Sequence, residues 1–206
     1  MTELLIVYYS SYGHTFKMAK AARDGAKDLT DVNVKLVKVP EFESARKAMS
    51  EQEAYVKAQK DQEEIPEVTQ EDLKNADGIL WGIPTRFGNM PAQVKQVLDS
   101  CGGLWANGEL EDTVTGIFTS SNTLHGGQES TILSSLIPML HLGMIFVGTP
   151  YGQNPELSET EFQGGSPYGP STVAGPDGSR LPNESELKMV KRLAARVARV
   201  AKGLNK

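Results

Sequence analysis

The sequence predicts an α/β protein built on a doubly wound, five-stranded parallel sheet, order 2-1-3-4-5, with helices on both faces. Three observations carry this. Strand-like and helix-like segments alternate along the chain. The strand-like runs are apolar at consecutive positions, as in a sheet covered on both sides. Polar, glycine-containing loops follow strands one, three and four, where ligands gather in open α/β sheets.

The first run, Leu4 to Tyr9, has no polar alternation and reads as a strand buried on both faces. Phe16, Ala19, Ala22, Ala26 and Leu29 then recur every three or four residues, as on one face of an amphipathic helix. Val32, Val34 and Leu36 alternate and give strand two, which stops at Pro40. Residues 41–68 are rich in Glu, Lys, Gln and Ala and read either as a solvated, partly helical insertion or as a mobile loop. Thr69 to Asp72 is a capping signal for a short helix through Ala76. Strand three is Gly78 to Ile83, closed by Pro84. Pro91 suits the first turn of a helix whose buried stripe is Val94, Val97, Leu98 and Cys101.

Strand four is Val114 to Phe118. Ile132, Leu133, Leu136, Ile137 and Leu140 mark the next helix, which Pro138 should bend, and Met144 to Val147 forms strand five. Residues 150–183 are dominated by Gly, Pro, Ser, Asn and Thr, a loop length that is usually functional when ordered. The last helix starts near Asn183, an N-cap residue, with Leu187, Val190, Ala194, Val197, Ala201 and Leu204 along one side. The 206 residues therefore read as one domain, 1–206, with an insertion and one long loop.

Composition narrows the function. A net charge of −5 argues against nucleic acid and membrane surfaces, which attract basic faces. The single cysteine, Cys101, allows neither an intramolecular disulfide nor a multi-cysteine zinc site. The three histidines, His14, His125 and His141, lack ligand spacing, so no metal is expected. The start of the chain has no signal-peptide pattern, and no apolar run is long enough to span a membrane, so a cytoplasmic protein is expected.

The loop after strand one, Ser10-Ser11-Tyr12-Gly13-His14-Thr15, combines hydroxyls, a permissive glycine and an immediate helix start. Successive amides and the helix dipole there favour phosphate. With no Lys or Arg in the loop, a monophosphate suits it better than a triphosphate. An ordinary helix cap is the competing reading. In Pro84-Thr85-Arg86-Phe87-Gly88-Asn89, exposed amides can meet a planar polar ring and Phe87 can pack on it; a plain βα turn is the alternative. Thr119 to Gln128 is long and polar enough to cover a flat ligand's other edge, yet such clusters are also ordinary loops. Neither GxxxxGK[ST] nor a GxGxxG after strand one is present. The strand ends lack the carboxylates of a phospho-receiver, and Cys101 is not in the first loop, where a thiol phosphatase would need it.

Six stretches in this order resemble the WrbA family of flavodoxin-like NAD(P)H:quinone oxidoreductases, often called type IV. They are Tyr8-Tyr9-Ser10-x-Tyr12-Gly13-His14, Pro84 to Met90, Gly102 to Ala106, His125 to Glu129, His141-x-Gly143-Met144, and Gly164 to Gly169 continuing to Gly178-Ser179-Arg180. The resemblance spans essentially the whole chain. It implies FMN as cofactor, NADH or NADPH as co-substrate, and two-electron, ping-pong reduction of a quinone to its hydroquinone through FMN N5. It also implies a homotetramer (a dimer at low FMN) whose sites are completed by neighbouring subunits, the insertion and the long loop serving that assembly.

By the same resemblance Ser10, Ser11, Tyr12, Gly13, His14 and Thr15 bind the FMN phosphate, with Tyr12 also near the nicotinamide. Thr85, Arg86 and Phe87 lie along the isoalloxazine, and Ser120, Ser121, Asn122, Thr123, Leu124 and His125 line the flavin and ribityl region. His141 touches the flavin, and Trp105 walls the site where quinone or nicotinamide stacks. Bottom-up, His141 could equally answer a helix dipole, and Trp105 could be plain core. One departure stands out: relatives commonly read Ser-Thr-Gly-Thr-Gln-His where this chain has Ser120 to His125, so Asn122 replaces a glycine and Leu124 a polar residue. Asn tolerates left-handed angles, so the turn can survive. Two other readings remain: a carrier passing single electrons to proteins, and a binding protein that has lost redox function.

Overall fold

A computed structural model describes residues 1–204. Strand β1 (Thr2–Tyr8) leads through Ser10–Gly13 into α1 (His14–Ala26), and β2 (Val32–Lys38) returns beside β1. The insertion folds as α2 (Glu43–Met49) and α3 (Glu53–Lys60), and α4 (Gln70–Lys74) precedes β3 (Gly78–Pro84). Next come α5 (Ala92–Asp99), α6 (Gly102–Ala106), β4 (Val114–Ser121), α7 (Gln128–His141), β5 (Ile145–Phe146), β6 (Ser171–Val173) and α8 (Glu184–Leu204).

The expected order is present: β2-β1-β3-β4-β5, all pairs parallel. Side chains alternate across the sheet. Leu4, Ile6 and Tyr8 of β1 point into a core with Phe16, Met18 and Ala22 of α1 and Val190, Ala194 and Val197 of α8. Leu5, Val7 and Tyr9 point the other way, against Val94 and Leu98 of α5, Leu104 of α6 and Ile132 and Met139 of α7.

Several details differ from expectation. The sheet has a sixth strand: β6, from the long Gly/Pro-rich loop, runs parallel to the end of β4, pairing Thr119 with Ser171 and Ser121 with Val173. That pairing carries β4 past Phe118 to Ser121, because the polar Thr119, Ser120 and Ser121 gain a ladder partner and are buried. Strand five shrinks to two residues, Ile145–Phe146, since it shares the edge of β4 with β6. Pro91 is the N-cap of α5 rather than its first helical residue. On α7, Leu133, Ile137 and Leu140 are exposed, and the buried face is Thr131, Ile132, Ser135 and Met139.

Two capping boxes define helix starts, the first at the expected Thr69–Asp72 signal and the second built on the expected N-cap Asn183. Thr69 and Asp72 exchange hydrogen bonds at α4, a helix that ends at Lys74 rather than Ala76. At α8 the Glu186 amide donates to Asn183 Oδ1 at 2.8 Å, and the Asn183 amide donates to Glu186 Oε2 at 2.9 Å. The insertion is not merely solvated: Tyr55, Ala58 and Gln62 are buried against the first loop.

Candidate active site

The three loops meet in one cleft of about 60 Å3, lined by Ser10, Ser11, Tyr12, His14, Thr15, Thr85, Arg86, Ser120, Ser121 and Asn122, with Pro84 and Ala174. It opens beyond the carboxyl ends of β1, β3 and β4, the switch region of a doubly wound sheet.

The first loop is held so that its amides stay free. Gly13 takes φ +91°, a left-handed conformation suited to glycine, and caps α1 with no side-chain hydrogen bond. The loop supplies the cap of α1 through the Gly13 backbone rather than a hydroxyl, and Ser10 Oγ accepts from the Gly13 amide at 3.0 Å, ahead of the helix. Among the described residues, the amides of Ser11, Tyr12, His14 and Thr15 have no protein acceptor. No acidic residue sits in the first turn of α1 to compete for the positive end of its dipole. His14 is buried, its Nε2 has no protein partner, and burial pulls its pKa below the usual imidazole value.

Hydroxyls stitch the loops together. Thr15 Oγ1 and Ser120 Oγ lie 3.0 Å apart, joining the start of α1 to β4. The Thr85 amide donates to the Ser120 carbonyl at 2.9 Å, and the Thr131 hydroxyl donates to Thr85 Oγ1 at 2.8 Å. Arg86 reaches back from the second loop and donates to Ser11 Oγ at 2.9 Å. The first loop thus does carry a cation at its rim, supplied from 75 residues away, which its own sequence does not contain.

The second loop is a tight turn in which Arg86 and Asn89 exchange backbone hydrogen bonds of 2.7 and 3.1 Å. Its centre, Phe87 and Gly88, has φ +53° and +79°. A phenylalanine in the left-handed region is a backbone outlier. Its ring is fully exposed, so no packing inside this chain accounts for it. The expectation of several exposed amides is corrected here: those of Thr85, Arg86, Gly88 and Asn89 are spent internally, and the Phe87 amide alone lacks an acceptor among the described residues.

In the third loop Asn122, Thr123, Leu124 and His125 are exposed. Asn122 is not in the left-handed region; that role falls to Gly127, φ +94°. The replacement of glycine at 122 is thereby accommodated without strain. A Cβ on Gly127 would stand 2.8 Å from Gly88 Cα, so close approach of the second and third loops requires glycine. Gln128, buried, donates to the Leu124 carbonyl at 2.6 Å and accepts from Ser171 of β6.

His141 and Trp105 are not brought into this cleft by the chain itself. Both are exposed and line a separate groove of about 930 Å3 between α5, α6 and α7, with Asn89 and Met90 at its edge. This groove is far larger than the cleft, but it is open and mostly apolar. The acceptor-free amides and the hydroxyls are in the small cleft, and these are the groups an anion needs. Among the described residues no cluster of His, Cys, Asp or Glu could hold a metal, and no helix is long and apolar enough to cross a membrane.

The sequence pattern of the NADPH-dependent FMN reductase family matches residues 4–155. The chain belongs to that family. It is 45% identical to an NAD(P)H dehydrogenase (quinone) of Aromatoleum aromaticum over 97% of this chain and 95% of the relative. It is 47% identical to one of Geotalea daltonii, over 97% and 96%. Among solved structures, the flavodoxin-like, WrbA-like protein of Agrobacterium tumefaciens aligns with a TM-score of 0.67 at 23% identity, covering 98% of this chain and 99% of that one. An archaeal flavodoxin aligns at 0.61 and 19% identity, covering 98% and 99%. These likenesses confirm the flavodoxin-like fold.

The cleft fits the phosphate end of the family's cofactor. Its donors are neutral amides and hydroxyls around an α-helix N-terminus, and it has room for a phosphate-sized group but not for a fused ring system. Sequence reasoning missed three residues that shape it: Gln59 and Gln62, which hold the first loop from the insertion, and Glu186, which anchors the loop bearing Ala174. Gln128, inside the third loop, joins that loop to β6. Gln59 and Gln62 carry no motif signal: each is an ordinary polar residue made structural by distant partners.

Proposed function

We propose that the protein is an FMN-dependent NAD(P)H:quinone oxidoreductase. The carrying observation is the convergence of three loops on acceptor-free amides at the N-terminus of α1. The names of relatives matching nearly the whole chain at 45–47% identity support the nicotinamide and the quinone as substrates. FMN, when bound, supplies a two-electron relay between a nicotinamide and a quinone.

The chain's own residues bind and orient. Ser10 to Thr15 hold the phosphate with amides and hydroxyls, and Arg86 adds positive charge at the rim. The Phe87 amide and the exposed Phe87 ring present a donor and an apolar face to the isoalloxazine, and Ser120 to His125 form the opposing wall. Tyr12, exposed at the mouth, is the nicotinamide contact. Its hydroxyl is steadied at 2.7 Å by Gln52. One open face, used in turn by donor and acceptor, predicts ping-pong kinetics.

Assembly as a homotetramer, falling to a dimer at low FMN, is part of this proposal. It is supported by exposed Trp105, Leu133, Ile137 and Leu140, an apolar surface larger than scattered side chains require. His141 and Trp105 then serve the flavin and quinone side of the site across subunits. A cytoplasmic location is consistent with the lone reduced thiol of Cys101.

The test is direct. Protein loaded with FMN should oxidise NADH or NADPH, followed at 340 nm, only when benzoquinone is present. No loss of absorbance with either nucleotide ends the proposal. Sedimentation with and without excess FMN tests the assembly.

A further inference from the structure

Three side chains of the insertion region meet the first loop from behind. Gln62, 2% exposed, donates from Nε2 to the Ser10 carbonyl at 2.9 Å. Gln59 Nε2 donates to the carbonyls of Ser10 and Ser11, both at 3.1 Å. Ala58 lies where a Cβ on Gly13 would be 3.7 Å away, closing the back of the loop. The Gln62 backbone is itself held, its main-chain carbonyl accepting from Lys38 Nζ at 2.9 Å.

In a trans peptide the C=O and the following N–H point in opposite directions. A carbonyl of Ser10 drawn toward the insertion therefore turns the Ser11 amide away from it, toward the cleft. The Ser11 carbonyl does the same for the Tyr12 amide. These are two of the amides that lack a protein acceptor.

We infer that Gln59 and Gln62 are positioning residues that set the loop's affinity for a phosphomonoester by locking two peptide planes before the ligand arrives. This rests on the FMN reading above. Free loops would have to order on binding, and pre-ordering removes that entropic cost. The insertion thereby acquires a role inside a single subunit, separate from assembly.

The experiment compares FMN with riboflavin, which lacks the phosphate, by flavin fluorescence quenching on apoprotein. Gln62→Met and Gln59→Met keep side-chain length and lose the donor. In Gln62→Met the Kd for FMN should rise about tenfold, roughly the worth of one buried hydrogen bond, while that for riboflavin moves less than twofold. Gln59→Met should raise it about fivefold and, being less buried, still reports if Gln62→Met does not fold. Equal weakening of both ligands, the signature of a merely structural role, overturns the inference, as does unchanged FMN affinity in both variants. Unaltered protein that takes up no FMN refutes the functional proposal instead, and that result is visible before any substitution is made.

Discussion

Arg180 and Glu186 form an ion pair of 3.0 Å in which the carboxylate is wholly buried. The same carboxylate accepts from the Gly164 amide and the Thr172 hydroxyl, each at 2.8 Å, and from the Asn183 amide. Arg180 also donates to the Val173 carbonyl at 2.7 Å. One side chain on α8 thus gathers both ends of the long loop and β6. That pairing places Ala174 in the wall of the cleft.

Glu186→Ala should destabilise the fold strongly, because it leaves buried donors and a half-buried guanidinium without their acceptor. Loss of one partner of a buried pair typically costs about 3–5 kcal/mol. Urea unfolding followed by circular dichroism measures it; a shift within experimental error would mean that the loop is anchored elsewhere.

Phe87→Gly should leave stability unchanged or raise it by up to about 1 kcal/mol, since relief of left-handed strain offsets glycine's extra chain entropy. Phe87→Val should instead cost about 1–2 kcal/mol, as β-branched residues resist positive φ. Both should bind FMN less tightly if the ring packs on the isoalloxazine. Unfolding midpoints and flavin titrations separate the two effects.

Thr15→Val should lower FMN affinity by about tenfold while moving the unfolding midpoint little. It removes one ligand donor and the link to Ser120, and a single hydrogen bond is worth about 1 kcal/mol. Full retention of FMN affinity would remove Thr15 from the site.

Stability should fall on mild acidification through His14. Burial lowers its folded pKa beneath the value in the unfolded chain. The unfolded state therefore binds more protons in this window, so stability is full above about pH 6.5 and is lost as pH drops through the folded value. His14→Gln should flatten the urea midpoint between pH 7 and 5. An identical slope in the variant assigns the effect to other groups.

Cys101 should resist iodoacetamide at pH 8 in the native protein and react once it is denatured. Burial pushes its thiol up to about 11, which keeps thiolate scarce. Rapid alkylation of the folded chain would show that the α5–α6 junction, where Cys101 is the N-cap of α6 rather than part of the α5 stripe, opens locally.

Much of this protein is written locally. The two-sided apolar strands, the period of α1 and α8, the boxes at Thr69 and Asn183, and the Ser10–Thr15 loop all follow from neighbours within a few residues, where backbone preferences and side-chain period act. Alternation of strands and helices implies a parallel doubly wound sheet, and five strands suit the order 2-1-3-4-5 that the structure has. Three-dimensional packing decided the rest. The β6 ladder, the reach of Arg86 to Ser11, the grip of Gln62 on Ser10 and the burial of Glu186 join groups up to 75 residues apart, and Gln, Glu and Arg look solvated until a distant partner meets them. Trp105 and His141 likewise sit in a groove apart from the cleft, because α6 and α7 present them outward, away from the strand ends where phosphate chemistry gathers.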